Sequence, residues 1–253
     1  MMITADSPDA LEEMLWMAFF PHCHTCTASN LLEAGTRHPG FERFYRAHIR
    51  KLLLAEGATR YAAKANYHIT RLPYLARLFP DVRFLLPVRN PASHIASLIR
   101  QHRWFSLGHR RHARALALMQ RSGHFEFGLD RRPIHLGDAE QVRQIARAWA
   151  DGEEVRGQTR YWNMVYGYLA KLLAGNAQIR TATLVVRYES LCESPQKILQ
   201  SVFDHCRLPG TDGIVRKSAA GIHFPDYYKT NLSAADLEFI RTETQTTARM
   251  WGY

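Results

Sequence analysis

Lys64, with His68 just beyond it, Arg89 and Tyr188 share a position: each follows a short apolar or alternating run that reads as a β-strand. In an open parallel sheet, ligands sit in the crevice beyond the carboxyl ends of the strands. Cations collected there bind anions. Asn90 and Pro91, directly after Arg89, supply the cap and first-turn residue of a helix running to about His102. On that helix Ser93, Ser97 and Arg100 fall within a sector of about 60°, opposite Ile95, Leu98, Ile99 and His102. One face packs and the other is available for binding. An arginine at a strand end, a serine hydroxyl on the adjoining helix and the helix N-terminus together suit a phosphate dianion.

The elements that must position these groups follow from periodicity. Three strands are predicted: Arg60–Lys64, Val82–Val88 (interrupted by Pro87) and Thr183–Arg187. Helical spacing marks Ile69 to Phe79 between the first two strands, and Ser194-Pro195 opens a further helix carrying Ile198, Leu199, Val202 and Phe203. Other helices are expected from Ser7-Pro8-Asp9 to Phe20, over Phe41–Glu56 ending at Gly57, through most of Asp138–Gly175 with Trp149, Trp162, Val165, Tyr166 and Leu169 in the core, and from Ser233 to Met250. Strand, helix, strand, helix implies right-handed crossovers and a parallel sheet flanked by helices. No repeat or low-complexity linker interrupts residues 1–253, which read as a single α/β domain.

Composition narrows the classes. Hydrophobic residues make up 46% of the 253 and charged residues 22%, which is too apolar for a disordered chain. Lys and Arg total 33 against 23 Asp and Glu, a formal +10 that points to an anionic partner without identifying it. The longest apolar stretches, such as Met14–Phe20, are far short of the roughly 20 residues a membrane span needs, and the N-terminus has no signal-peptide pattern. Four cysteines, Cys23, Cys26, Cys192 and Cys206, are too few for a disulfide framework, so reduced thiols and a cytoplasmic location are expected. His22-Cys23-His24-Thr25-Cys26 has metal-ligand residue types but no second ligand pair, and no metal site is assigned. The basic run His109 to Arg114, with Arg131 and Arg132 beyond, reads as a solvated face, or as a border of a substrate entrance.

With those residues in place, the chain resembles the sulfotransferases that use 3′-phosphoadenosine 5′-phosphosulfate. Leu78-Phe79-Pro80-Asp81-Val82-Arg83-Phe84, then Val88-Arg89-Asn90-Pro91, then Ser97 eight residues after the arginine, is similar to that family's 3′-phosphate-binding segment. Arg187-Tyr188-Glu189-Ser190-Leu191, with Ser194-Pro195 and a helix ending at Leu208-Pro209, resembles its closing strand and helix. The two stretches cover about residues 57–104 and 180–210, roughly a third of the chain.

The resemblance implies a three-layer core related to nucleotide kinases, with Arg89 and Ser97 on the 3′-phosphate and Tyr188 near the adenosine. Lys64 matches the lysine that neutralises charge on the transferring sulfuryl group. His68 is the candidate general base, with Glu12 and Glu13 as alternatives. The acceptor is a hydroxyl or amine of a small molecule, glycan or lipid. One departure stands out. The family's loop of the form R-S-G-T-T, which grips the 5′-phosphosulfate, has no match here. Glu33-Ala34-Gly35-Thr36 is the nearest string, without a preceding strand or an immediately following helix, so the chain reads as starting downstream of that loop. The competing expectations are a catalytically impaired nucleotide-binding remnant serving as an interaction protein, and a basic nucleic-acid-binding domain. The latter has no recognisable reader motif.

Overall fold

The computed structural model describes residues 12–208, 212–225 and 231–253. The predicted helix start at Ser7-Pro8-Asp9 lies outside them. The chain divides into two compact units, one from the stretch ending at Leu78 together with Arg103–Val142, the other from Phe79–His102 and Arg143–Tyr253.

The first unit is helical. It contains α1 (Glu12–Phe19), α2 (Pro39–Ala55), a 3₁₀ turn at Asn66–Thr70 and α3 (Leu72–Leu78). It also holds the second half of α4 (Pro91–Arg111), then α5 (Ala113–Ser122) and the loop beyond it. Helix α2 forms where expected because both ends are specified locally. His38 caps it by accepting the Phe41 N–H at 3.1 Å, Pro39 opens it, and Gly57 ends it at a φ of +57°. Its apolar face, Phe41 and Tyr45, packs on the fully buried Trp16 of α1, with ring centroids 4.5 and 5.2 Å away.

The predicted strand Arg60–Lys64 does not form. The segment has no regular secondary structure and joins no ladder with any described residue, and Ala62, Ala63 and Lys64 are exposed. Its one aromatic side chain, Tyr61, is engaged with Glu12, and the alanines and lysine offer no β-branched surface for a neighbouring strand to cover.

The second unit holds the sheet: β1 (Phe84–Val88) and β2 (Thr183–Arg187), parallel, in register from Phe84 opposite Thr183 to Val88 opposite Arg187. Both predicted segments are strands. The α/β class stands, but the described residues are mostly helical and contain this two-stranded sheet alone. A strand with one neighbour uses only alternate amides in its ladder, which accommodates Pro87; the Pro87 carbonyl accepts from the Tyr166 hydroxyl at 3.3 Å.

The rest of this unit is helical: the first half of α4, most of α6 (Ala139–Ala150), α7 (Glu154–Gly175), α8 (Ala177–Ala182), α9 (Tyr188–Glu193), α10 (Pro195–His205), α11 (Asp212–Ala219) and α12 (Ala234–Met250), of which α8, α9 and α10 touch β2. Helix α12 packs along α7, burying Ile240, Thr244, Thr247 and Ala248 at helical spacing against the side carrying Trp162, Tyr166 and Leu169. Ser233 and Asp236 start α12 with a reciprocal capping box.

Candidate functional site

The carboxyl end of the β1–β2 pair carries most of the expected binding residues. Arg89 leaves β1 and Tyr188 leaves β2, and because the strands are parallel and in register the two arrive side by side. The Arg89 guanidinium lies 4.5 Å from the centroid of the Tyr188 ring. Asn90 caps α4, its Oδ1 accepting the Ser93 N–H at 3.3 Å, so the first turn of a long helix opens beside Arg89. Ser97 lies two turns along α4 on a half-exposed face with Ser93 and Arg100, while Ile95 and Ile99 are buried. The helical-wheel expectation holds for Ile95 and Ile99, whereas Leu98 and His102 are only half-buried, like the polar residues opposite.

Four participants at this corner, Glu189, Tyr253, Arg187 and His94, carry no role in the sequence reading. Glu189 accepts the Asn90 N–H at 3.0 Å through Oε1, and its other oxygen accepts from the Tyr253 hydroxyl. The same hydroxyl lies 3.2 Å from the Val88 carbonyl, and the Arg187 guanidinium sits 4.4 Å from the Tyr253 ring centroid. Burial, then the hydrogen bond to Glu189, pushes the Tyr253 hydroxyl well above its ordinary pKa. His94, one turn into α4, is held neutral. Burial and the Arg89 charge lower it to about 4 against the pull of Glu189. Its adjacency to Asn90 along the helix is the signal that would have pointed to it. Tyr253 had none, being far along the chain from β2 and brought back by the packing of α12.

Lys64 and His68 belong to the first unit. Lys64 is exposed in the irregular segment before the 3₁₀ turn. His68, on that turn, lies beside a buried acidic pair. Glu12 accepts from Trp16 Nε1 at 3.1 Å, from Tyr61 at 2.7 Å and from the Tyr45 hydroxyl, and its Oε1 is 3.9 Å from His68 Nε2. Glu13 takes a two-pronged ion pair from the fully buried Arg71 at 2.7 and 3.2 Å and a hydrogen bond from His24 at 2.9 Å. Burial alone would raise Glu13; the His24 hydrogen bond and Arg71 outweigh it and hold the carboxyl at about 2. Arg71 also covers the Trp16 ring at 4.2 Å. Burial, then the Arg71 charge, lowers His68 to about 4 despite Glu12 and Glu13, and its buried Nδ1 has no hydrogen-bond partner.

Of the three base candidates, His68 alone keeps a side-chain polar atom, Nδ1, without a hydrogen-bond partner. Both glutamates are engaged in structural bonds. The hydroxyls of Tyr45 and Tyr61, moved above their ordinary pKa by burial and by Glu12, stay protonated as its donors.

The His22–Cys26 string forms a turn in which Cys23 is buried, its thiol raised to about 11 by burial, and the His24 ring is committed to Glu13. Among the described residues no group of three or more His, Cys, Asp or Glu is placed to hold a metal ion, and the four cysteines form no disulfide. Glu33–Thr36 makes an exposed turn with no strand before it; α2 follows at Pro39, nearer than the sequence suggested. The second unit also bears a cleft of about 430 Å³ where the N-terminus of α10 meets α11, lined by Ser194, Pro195, Lys197 and Arg216 among others. No helix among the described residues is long and apolar enough to cross a membrane. No known protein family, curated protein or solved structure matches the chain.

Proposed function

We propose that this chain is a sulfotransferase that binds 3′-phosphoadenosine 5′-phosphosulfate at the carboxyl end of its β1–β2 pair. The acceptor in this reading is a hydroxyl or amine of a small molecule, glycan or lipid. The observation that carries it is the Arg89–Tyr188 stack beside the capped start of α4. A fixed guanidinium, an aromatic face and helix amides suit a nucleotide, whose ribose carries both the phosphate and an aromatic base. The three-layer, kinase-related core is proposed on the same motifs.

The residues fit the two ends of this donor unequally. Arg89, Ser97 and Tyr188 are of the types that hold a 3′-phosphate and an adenine. Glu189, which already takes the Asn90 amide, places one negative charge at that corner, where Arg89 over Tyr188 and Arg187 over Tyr253 are cations. For the 5′-phosphosulfate the described residues offer no glycine-rich loop. When bound, the donor supplies an activated sulfuryl group. The acceptor proton falls to His68 by the resemblance; the ring is neutral near pH 7, but its Nδ1 is buried and a pKa near 4 makes it a weak base. Lys64 suits charge neutralisation by being exposed and cationic.

A second reading, a nucleotide-binding remnant without transfer, is favoured by the exposed turn at Glu33–Thr36. Two measurements separate these readings. Adenosine 3′,5′-bisphosphate should raise the melting temperature, since a ligand at about 100 times its Kd adds about 2.7 kcal/mol of stability. Adenosine 5′-monophosphate should do much less, and Arg89→Ala should abolish the rise. No shift at millimolar bisphosphate overturns both readings. Release of bisphosphate from the phosphosulfate donor in the presence of pooled acceptors supports the enzyme; binding without release supports the remnant.

A further inference from the structure

Between Asp81 and Glu126 the chain contains no Asp or Glu but eight arginines. Within the first unit this stretch forms the second half of α4 and all of α5, separated by the single non-helical residue His112. Both are amphipathic in an inverted sense. On α4, Ser106 and His109 are buried, whereas Arg103, Trp104, Leu107, Arg110 and Arg111, spaced i, i+1, i+4, i+7 and i+8, are exposed. On α5 the exposed side carries Arg114, Leu118 and Arg121 at i, i+4 and i+7. Trp104 is 65% exposed, Leu118 65% and Leu107 45%. Large apolar side chains are thus set among arginines with no acid in the segment.

We infer that this face docks on a membrane surface containing anionic lipid, with the helices lying on the bilayer. The argument is charge complementarity joined to apolar exposure. Arginines pair with lipid phosphates and carboxylates, and an indole ring with two leucines enters the headgroup boundary, a combination typical of interfacial helices. A nucleic acid would satisfy the arginines and stack on Trp104, but exposed leucines have no stacking role.

The test is co-sedimentation of the intact chain with vesicles of phosphatidylcholine alone and of phosphatidylcholine with about 30 mol% phosphatidylserine. Binding is expected to the anionic vesicles, and to weaken roughly tenfold or more as salt rises from about 0.1 to about 0.5 M. Arg110→Glu/Arg111→Glu/Arg114→Glu should weaken it by about 100-fold. The control Arg43→Glu/Arg50→Glu/Lys51→Glu, on exposed positions of α2, changes net charge equally and should leave binding within about threefold. If circular dichroism shows that the reversed variant has not folded, Arg110→Gln/Arg111→Gln/Arg114→Gln replaces it, with a loss of about tenfold expected. Trp104→Ser/Leu118→Ser should cost about tenfold on vesicles and leave binding to a single-stranded oligonucleotide unchanged. Equal effects of the two charge-reversed variants, no effect of the apolar substitutions, or an oligonucleotide bound more tightly than the vesicles would overturn the inference.

Discussion

Arg71 illustrates how one side chain constrains several others. Fully buried, it pairs with both oxygens of Glu13, lies over Trp16 and contributes to the low pKa of His68. Replacing it leaves Glu13 buried beside only His24. Arg71→Met is therefore expected to destabilise the first unit by about 3–5 kcal/mol, because an unpaired buried charge costs more than a buried pair contributes. Chemical denaturation with a circular dichroism readout measures this; a loss under about 1 kcal/mol would show that Glu13 finds another partner or takes up a proton at little cost. Glu13→Gln/Arg71→Met should recover a large part of the loss, since it removes both charges. Glu12 and Glu13 are legible in the sequence as possible bases; their commitment to structural bonds is not, because their partners lie as far as 58 residues away.

Helix contacts are where glycine and tryptophan become legible. Gly157, on α7, has the indole of Trp149 on α6 so close that an added Cβ would stand 2.4 Å from Cδ1. Trp149 was expected in the core and is half-buried, and the glycine explains how the two helices approach there. Gly157→Ala should cost about 1–3 kcal/mol through overpacking, more than its gain in helix propensity. The melting temperature of the variant checks this; an unchanged or raised value would mean that Trp149 moves aside freely. Elements specified by their own ends, α2, α10 and α12, lie close to where periodicity and caps placed them. The stretch Arg60–Lys64 does not, because a strand needs a partner and none is encoded locally.

Across the whole molecule, each unit holds one histidine forced to stay neutral, His68 in the first and His94 in the second, both near 4. An unfolded chain takes up those protons near pH 6.5, so below that pH protonation favours unfolding. The histidines' contribution is complete above about 6.5 and falls until about 4. Glu13 behaves as a depressed carboxylate: its contribution is present above about 4.5 and is lost as pH falls through about 2. Melting temperature should thus be level from pH 8 to 7 and decline steadily below about 6.5. His94→Gln and His68→Gln should each reduce the slope between about 6.5 and 4, and a slope unchanged in both variants would refute the assignment.

Helix limits, the two strands of the sheet, the amphipathic face of the helix after Arg89 and the concentration of arginines were determined by neighbouring residues alone. Caps, propensity and spacing act within a few positions of the chain. The pairing of β1 with β2, and with it the seating of Arg89 on Tyr188, depended on contacts between segments far apart in the chain, as did the return of Tyr253 to Glu189. So did the burial that makes structural acids of Glu12 and Glu13 and keeps His68 neutral. Desolvation and ion pairing depend on what surrounds a group in space, and that exists only once distant segments have packed.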